Sequence, residues 1–548
     1  MIADEAQTEL ALLAQQLEEL NQIGAALAAE RDIARLLDLI LTKAREITAS
    51  DAGSLYLVEA VDASGPPKGG PHGDIGGPHG NIGVLSEDEI EPAKVLRFAI
   101  AQNASISVPF RTTTLDITDK SIAGHVALTG DPVRLDDAYK LPAGVPYGFN
   151  RTFDQATGYR TQSVLAVPMR TPNGTIVGVV QLINATRGGA IVPYSDRQQA
   201  LAVSLAAQAA VSVENSHLYA EIQRLFEGFV RVSVVAIEAR DPTTSGHSFR
   251  VANLTVAFAE TADRADSGPY RALRFSREEM RTIRYASLLH DFGKVGVREE
   301  VLVKAKKLYP TQLDLIRERF KLARRSRELS ALQTRIDFLL TEGRDVYLSK
   351  LPDLDMALSD ELAALDQALA AVEAANEPSL LPDGSFDRLQ DVARIEFLDT
   401  DGTTRALLRD DEVRLLSLRK GSLSEAERTQ IESHVMHSYR FLSQIPWTRE
   451  IRRIPAIAVG HHEKLNGRGY PHKLSAPQIP VQTRMMTISD IFDALSASDR
   501  PYKKAVPIDR ALHILELAVT DGEIDGELFR LFVDARVFDK WQVEPYPY

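Results

Sequence analysis

Histidines paired with one another or with an aspartate place the hardest constraint on how this chain folds. His461 and His462 head the stretch HHEKLNGRGYP (461–471), a His290-Asp291 doublet lies in HDFGK (290–294), and His247, His434 and Asp490 stand apart from both. Imidazole and carboxylate ligate hard-to-borderline divalent ions, and a helical bundle brings such ligands from separate helices to one core. A fold that uses His247, His290, Asp291, His434, His461, His462 and Asp490 together must close long stretches of chain onto one point. Seven ligands exceed the need of one ion. A carboxylate able to bridge, Asp291, lets two ions sit about 3.5–4 Å apart, which suits in-line hydrolysis of a phosphoester. A His-Asp doublet alone is an ordinary core or surface pair; its company here is what points to metal.

The chain has no cysteine in 548 residues, so disulfides, thiolate metal sites and a bilin attached through sulfur are excluded. An apolar content of 44% with 25% charged residues is that of a water-soluble globular protein, and no run of 18 or more apolar residues offers a membrane span. The amino terminus lacks a secretory pattern, and the expected location is the cytoplasm. A net charge of -13 argues against broad binding to duplex nucleic acid but leaves room for a local cationic pocket that takes a small anionic nucleotide.

The length calls for several domains. Leu10, Leu13, Leu17, Leu20 and Leu27 recur at three- and four-residue steps within 1–30, interrupted only where Gly24 stands between Leu20 and Leu27, as either a coiled-coil seam or a helix packed on its own domain. Strand-like alternation follows at 53–60, 94–102, 163–169 and 174–184, which makes an α+β module over about 30–195. Within it the tandem GPHGDIG, GPHGNIG (70–83) reads as a flexible hairpin insertion over 63–84, and His72 and His79 there as solvated rather than as ligands. After Pro193 a long helix begins. Across 196–236, Leu218, Ile222, Leu225, Phe229, Val232 and Ala236 alternate four and three, the pattern of a dimerising connector. Residues 230–300 and 422–535 read as helical. The segment between them, 305–421, contains two amphipathic helices and a hairpin around Asp401-Gly402.

HDFGK, HHEKLNGRGYP and the later Ser489-Asp490-Ile491-Phe492-Asp493 resemble the HD-GYP family of HD-domain metal-dependent phosphohydrolases, over about 230–300 and 422–540. The resemblance implies an all-α helical-bundle domain at 230–540, interrupted by a mostly helical insertion at 305–421. It also implies two divalent ions, iron or manganese, and cyclic di-GMP as substrate, hydrolysed to pGpG or GMP. By that likeness His247, His290, Asp291 and Asp490 hold one ion, and His434, His461 and His462 complete the other. Lys294 then serves as a catalytic group near the scissile phosphate. Gly469 and Tyr470 shape the nucleotide pocket, and Arg500 and Lys503 of RPYK clamp phosphates. Relatives that hold a third metal carry a glutamate where this chain has Thr243, so two ions are expected. His437 follows His434 by three residues and reads as a neighbour rather than a ligand. The segment 308–320 mimics 423–435 but has Arg319 where His434 would fall.

SIAGHVALTGDPVRLDDAY (121–139) and GYRTQSVLAVPM (158–169) resemble a GAF domain, which the resemblance extends over 25–215, joined to the bundle by the long helix. FNRTFDQATGYRTQSVL resembles the nucleotide-binding members, in which Asn150 and Asp154 belong to the ligand signature. A cyclic nucleotide or another small ligand at the GAF domain, a homodimer, and regulation of the phosphodiesterase are the implied partners and logic. Two alternatives share the sequence: a phosphohydrolase for another cyclic dinucleotide or a cyclic mononucleotide, and a catalytically silent nucleotide-sensing scaffold.

Overall fold

A computed structural model of the chain describes residues 18, 20–30, 32–60, 94–106, 113–241, 246–380, 384–497 and 505–542. The insertion expected at 63–84, with His72 and His79, lies outside the described residues, as do Thr243, Arg500 and Lys503. Two compact units divide the chain, Met1–Phe226 and Glu227–Tyr548.

The first unit opens with a helix over residues 20–29 (α1) and α2 (Ile33–Thr48), which is started by Asp32, whose carboxylate accepts from the backbone N–H groups of Ala34 and Arg35. There follow β1 (Ser50–Ala60), β2 (Lys94–Asn103), β3 (Thr114–Asp116), α3 (Ile122–Thr129), β4 (Val133–Leu135), α4 (Thr152–Thr157), β5 (Val164–Arg170), β6 (Ile176–Arg187), β7 (Ala190–Val192) and α5 (Asp196–Glu238), whose residues from Glu227 onward belong to the second unit. The strands form one antiparallel sheet in the order β3-β2-β1-β6-β5-β4, with β7 on β6.

Strand periodicity decides the packing. Leu55 and Leu57, Leu165, Val167 and Met169, and Val180 and Leu182 share a core with α1, α2 and Leu205, Ala209 and Val213 of α5. The alternate residues Val164, Ala166 and Val179 join Leu96, Ile122 and Val126 in a second core on the other face. All four expected strands are present. The three-residue strands β3, β4 and β7 were not legible, because three residues are too short to display alternation.

The second unit is built from α6 (His247–Asp263), α7 (Arg277–Leu289), a 3-10 turn (Phe292–Gly296), α8 (Glu299–Leu302), α9 (Pro310–Glu342), α10 (Arg344–Ala375), α11 (Ser385–Ala393), the hairpin β8 (Glu396–Leu398) and β9 (Thr404–Ala406), α12 (Asp410–Leu416), α13 (Glu425–Glu432), α14 (His434–Leu442), α15 (Ile454–Ala458), α16 (Val481–Ser496), α17 (Ile508–Thr520) and α18 (Gly526–Asp534). Leu254 and Phe258 of α6, Ile283 of α7, Ile488 and Phe492 of α16, Leu515, Leu528 and Phe532 form the bundle core. The elements of 305–421 keep a core of their own around Ile316, Phe320, Leu365, Val372, Leu389, Phe397, Leu407 and Leu416. Arg319, at the position that imitates His434, forms an ion pair with Glu412 inside that segment. The two ends of the segment meet, with the Ser422 hydroxyl donating to the Lys304 carbonyl at 3.0 Å. Among the described residues no helix is long and apolar enough to cross a membrane.

Candidate metal centre

Helix ends supply most of the site. His247 is the first residue of α6, His290 follows the last residue of α7, His434 opens α14, and His461 and His462 lie just beyond α15, while Asp490 sits inside α16. Asp291 begins the turn after α7. That turn packs so closely on α14 that a Cβ on Gly293 would come within 1.9 Å of the His434 carbonyl oxygen. Ser438 ties the two together, its hydroxyl accepting from Gly293 N at 2.7 Å and donating to the His290 carbonyl at 2.8 Å.

Three of the rings are held through Nδ1 by a backbone carbonyl. Nδ1 of His290, His434 and His461 lies 2.6, 2.6 and 2.7 Å from the carbonyl oxygens of Ser287, Ile431 and Ala458. A carbonyl only accepts, so Nδ1 bears the proton, and in the neutral ring Nε2 is left with a lone pair. The Nε2 atoms of all three are buried and without a hydrogen-bond partner among the described residues. His247 differs: its Nδ1 meets Asp493 Oδ2 at 2.7 Å, and Asp493 is itself held by Arg250 Nε at 2.6 Å and Nη2 at 3.1 Å.

The two oxygens of Asp291 face different sets of rings. Oδ2 lies 3.5 Å from His290 Nε2, 4.0 Å from His247 Nε2 and 3.0 Å from Lys294 Nζ; Oδ1 lies 3.2 Å from His434 Nε2 and 4.0 Å from His461 Nε2. Asp490 Oδ1 is 3.1 Å from His247 Nε2 and 3.9 Å from His290 Nε2. Three ligand sets converge, His247-His290-Asp291, His434-His461-His462 and His290-His461-Asp490, the donor atoms of each within 4.8 Å of one another. The third set shows that His461 stands between the two halves. Buried lone pairs facing carboxylate oxygens repel unless a cation lies among them, so the donor set fits divalent metal.

Electrostatics agree with that fit. Burial alone would push the Asp291 carboxyl up, yet the Lys294 ammonium beside it holds it well below the usual range. Asp490 is likewise held down against burial, mainly by His247. Burial pushes His461 well below the ordinary imidazole value and His462 down to about 4. Burial also pulls on His247, but Asp490 and Asp493 hold it up at about 9, so a proton competes with metal for this one ring.

The remaining expected residues fall as follows. The Tyr470 ring packs on the His462 ring with centroids 4.8 Å apart. Gly469 brings its backbone against Lys464 N, where a Cβ would sit at 2.3 Å, so this glycine serves a close approach of two chain segments. Glu463, buried at the head of the loop, accepts from His472 N at 2.6 Å and Leu474 N at 2.8 Å and so pins it. His437 is absent from the ligand sets and packs its ring toward Gly296 and Phe441. In the first unit, the exposed Asn150 accepts from Thr152 N at 2.9 Å. Buried Asp154 accepts from Tyr139 Oη at 3.0 Å, and from Thr161 N and Oγ1 at 2.8 Å each, which fixes the loop around it. Asp493, Ser438 and Glu463 received no role from the sequence, although Asp493 follows Asp490 by three residues and so shares its helix face.

Sequence comparison identifies the parts. The GAF domain profile matches residues 32–213, and two HD domain profiles match 244–365 and 411–528. The chain therefore carries a GAF domain, with its antiparallel sheet, followed by a mostly helical HD region. A 3'3'-cGAMP-specific phosphodiesterase of Vibrio cholerae is 42% identical over 111 residues, covering 20% of this chain and 23% of the relative. A cyclic di-GMP phosphodiesterase of Pseudomonas aeruginosa is 33% identical over 121 residues, 21% of this chain and 27% of the relative. A cyclic di-GMP phosphodiesterase response regulator of Xanthomonas campestris is 40% identical over 98 residues, 18% and 25%. The match thus spans about a quarter of the length of each of these relatives. Among solved structures, the GAF domain of an Acinetobacter phosphoenolpyruvate-protein phosphotransferase aligns with 37% of this chain and 95% of its own at 16% identity, with a TM-score of 0.25.

Proposed function

We propose that this chain, which joins a GAF domain to an HD domain, is a metal-dependent phosphodiesterase of the HD-GYP type that hydrolyses cyclic di-GMP to pGpG or onward to GMP. The observation that supports it most is the division of Asp291, whose Oδ2 faces His290 and His247 and whose Oδ1 faces His434 and His461. In this reading His247, His290, Asp291 and Asp490 hold one ion, and Asp291, His434, His461 and His462 hold the second. Iron or manganese is the metal that the family resemblance favours, while the ligand types suit zinc as well. Two such ions supply Lewis acidity toward a phosphoryl oxygen and make water nucleophilic at neutral pH. The new bond would join water oxygen to phosphorus as the bond from phosphorus to the 3′ oxygen breaks, and the proton lost by the attacking water would end on that 3′ oxygen, which leaves as an alcohol.

Lys294 Nζ, 3.0 Å from Asp291 Oδ2, stands where an ammonium can meet charge developing on the phosphate. Burial pulls its proton affinity down, but Asp291 and Asp241 hold the ammonium above its ordinary value. That favours charge stabilisation over proton donation. Tyr470, pushed up by burial, stays a phenol beside His462 and can donate to the nucleotide. Arg500 and Lys503 are proposed to bind its phosphates. A cyclic nucleotide or similar ligand at the loop of Asn150 and Asp154 is proposed to regulate a homodimer.

The test is bound metal together with turnover of a panel of cyclic di- and mononucleotides by the purified chain. Asp291→Ala is expected to remove both; an unimpaired Asp291→Ala enzyme refutes the assignment. A second reading, 3'3'-cGAMP as the preferred substrate, draws on the 42% identical segment of the Vibrio cholerae enzyme. Comparing kcat/KM for the two dinucleotides decides between them.

A further inference from the structure

The end of α5 and the three residues that follow it reach the surroundings of the metal centre at three places. Glu238, the last residue of that helix, accepts through Oε2 from Gly246 N at 2.8 Å and through Oε1 from Ser248 N at 3.0 Å, the backbone groups on either side of His247. Arg240 Nη1 donates to the Val295 carbonyl at 2.7 Å, in the turn that follows Asp291. Buried Asp241 meets Lys294 Nζ at 3.0 Å through Oδ2, while the same ammonium lies 3.0 Å from Asp291 Oδ2.

Each contact does something specific. The first N–H groups of a helix have no partner within it, and Gly246 provides no side-chain cap for α6. Glu238 supplies the missing acceptors from another helix, so the backbone of His247 is held by Glu238 while its ring is held by Asp493. Lys294 sits between two carboxylates, only one of which faces the imidazoles. Asp241 takes up part of the ammonium's charge. Without Asp241 the whole of it would fall on Asp291 Oδ2, the oxygen that faces His290 and His247, where it competes with a cation for the same lone pairs.

We propose that Glu238 and Asp241, at the end of the long helix, are positioning residues of the metal centre: Glu238 sets the backbone of His247, and Asp241 draws Lys294 off the bridging carboxylate. The inference rests on the metal reading above but not on the identity of the substrate.

The experiment is a titration of Mn(II) into the metal-stripped full chain, followed by calorimetry, for wild type, Glu238→Gln, Asp241→Asn, Lys294→Met and the Asp241→Asn/Lys294→Met pair. Glu238→Gln replaces one acceptor with a donor aimed at an N–H and is expected to weaken binding about tenfold, the scale of lost outer-shell support. Asp241→Asn is expected to weaken it comparably when Lys294 is present and to change nothing when Lys294 is methionine. A purely structural role, or a direct pull of Asp241 on the ion, would instead weaken binding equally in both backgrounds and overturn the proposal. Unchanged Mn(II) affinity in Glu238→Gln overturns its half. If the wild type binds no Mn(II), this inference falls with the metal reading. If it binds Mn(II) but hydrolyses no cyclic dinucleotide, the function falls alone.

Discussion

Asp493 makes two commitments at once. One oxygen takes the Nδ1 proton of His247 at 2.7 Å and both engage the Arg250 guanidinium, so the carboxylate orients the ring and is itself held. Partners of this kind fix tautomer and direction, and their loss costs roughly 10–100-fold in metal affinity. Asp493→Asn is therefore expected to lower metal affinity by about that range while keeping the fold, measured by competition with a chelator of known affinity. The candidate ligands His290-Asp291 and His461-His462 stand out in the sequence as adjacent pairs, whereas His247, His434 and Asp490 are assigned through the family resemblance; the structure brings all seven side chains together. Their supports do not stand out. Ser438 acts by bridging two backbones, and nothing in the residue type marks a serine that does so. Asp493 could have been found from its three-residue offset to Asp490, and Glu238 could not, since its role depends on a helix start that follows Gly246, 8 residues further along.

The neck of the insertion is closed by one carboxylate. Glu427, in α13, receives Lys304 Nζ at 2.8 and 2.9 Å and the Tyr309 hydroxyl at 2.7 Å, with the Lys304 side chain 1% exposed. Burial alone would push Glu427 up; the Lys304 ammonium, the Tyr309 hydroxyl and Ser424 hold it down to about 2. Breaking one partner of a buried pair costs about 3 kcal/mol, so Glu427→Gln should unfold earlier in denaturant at neutral pH. A lowered carboxyl stabilises the fold above its ordinary value of 4.5 and loses that contribution as pH falls toward 2. The gap between wild type and Glu427→Gln should accordingly be full at pH 6 and close between those two values. A constant gap would assign the loss to packing. At this scale the sequence was informative for long amphipathic helices and for the Asp401-Gly402 hairpin, where periodicity and turn chemistry extend over enough residues. It did not reveal that the inserted helices have a core separate from the bundle, because an apolar stripe does not say which partner it meets.

At the scale of the whole molecule, α5 carries the most exposed large apolar side chains among the described residues. Ile222 is 62% exposed, Leu225 77% and Phe229 60%, in the four-and-three spacing read from the sequence. Such a stripe is the seam of a two-stranded coiled coil. Ile222→Glu with Leu225→Glu is expected to shift the sedimentation mass from dimer to monomer; a mass unaffected by the pair would leave the stripe without a second copy as its partner. The insertion has a consequence of a different kind. Bringing together residues as far apart as Lys304 and Ser422, separated by 118 positions, costs a flexible chain on the order of 4 kcal/mol in loop-closure entropy. The inserted elements remove that cost by condensing on their own core and delivering both ends to one place, after which His290 and His434 are near neighbours along the folded path. The expectation is that this segment acts as a folding staple, so damage to Phe320 or Leu365, in its own core, should register as slow assembly of the centre in refolding kinetics rather than as altered chemistry.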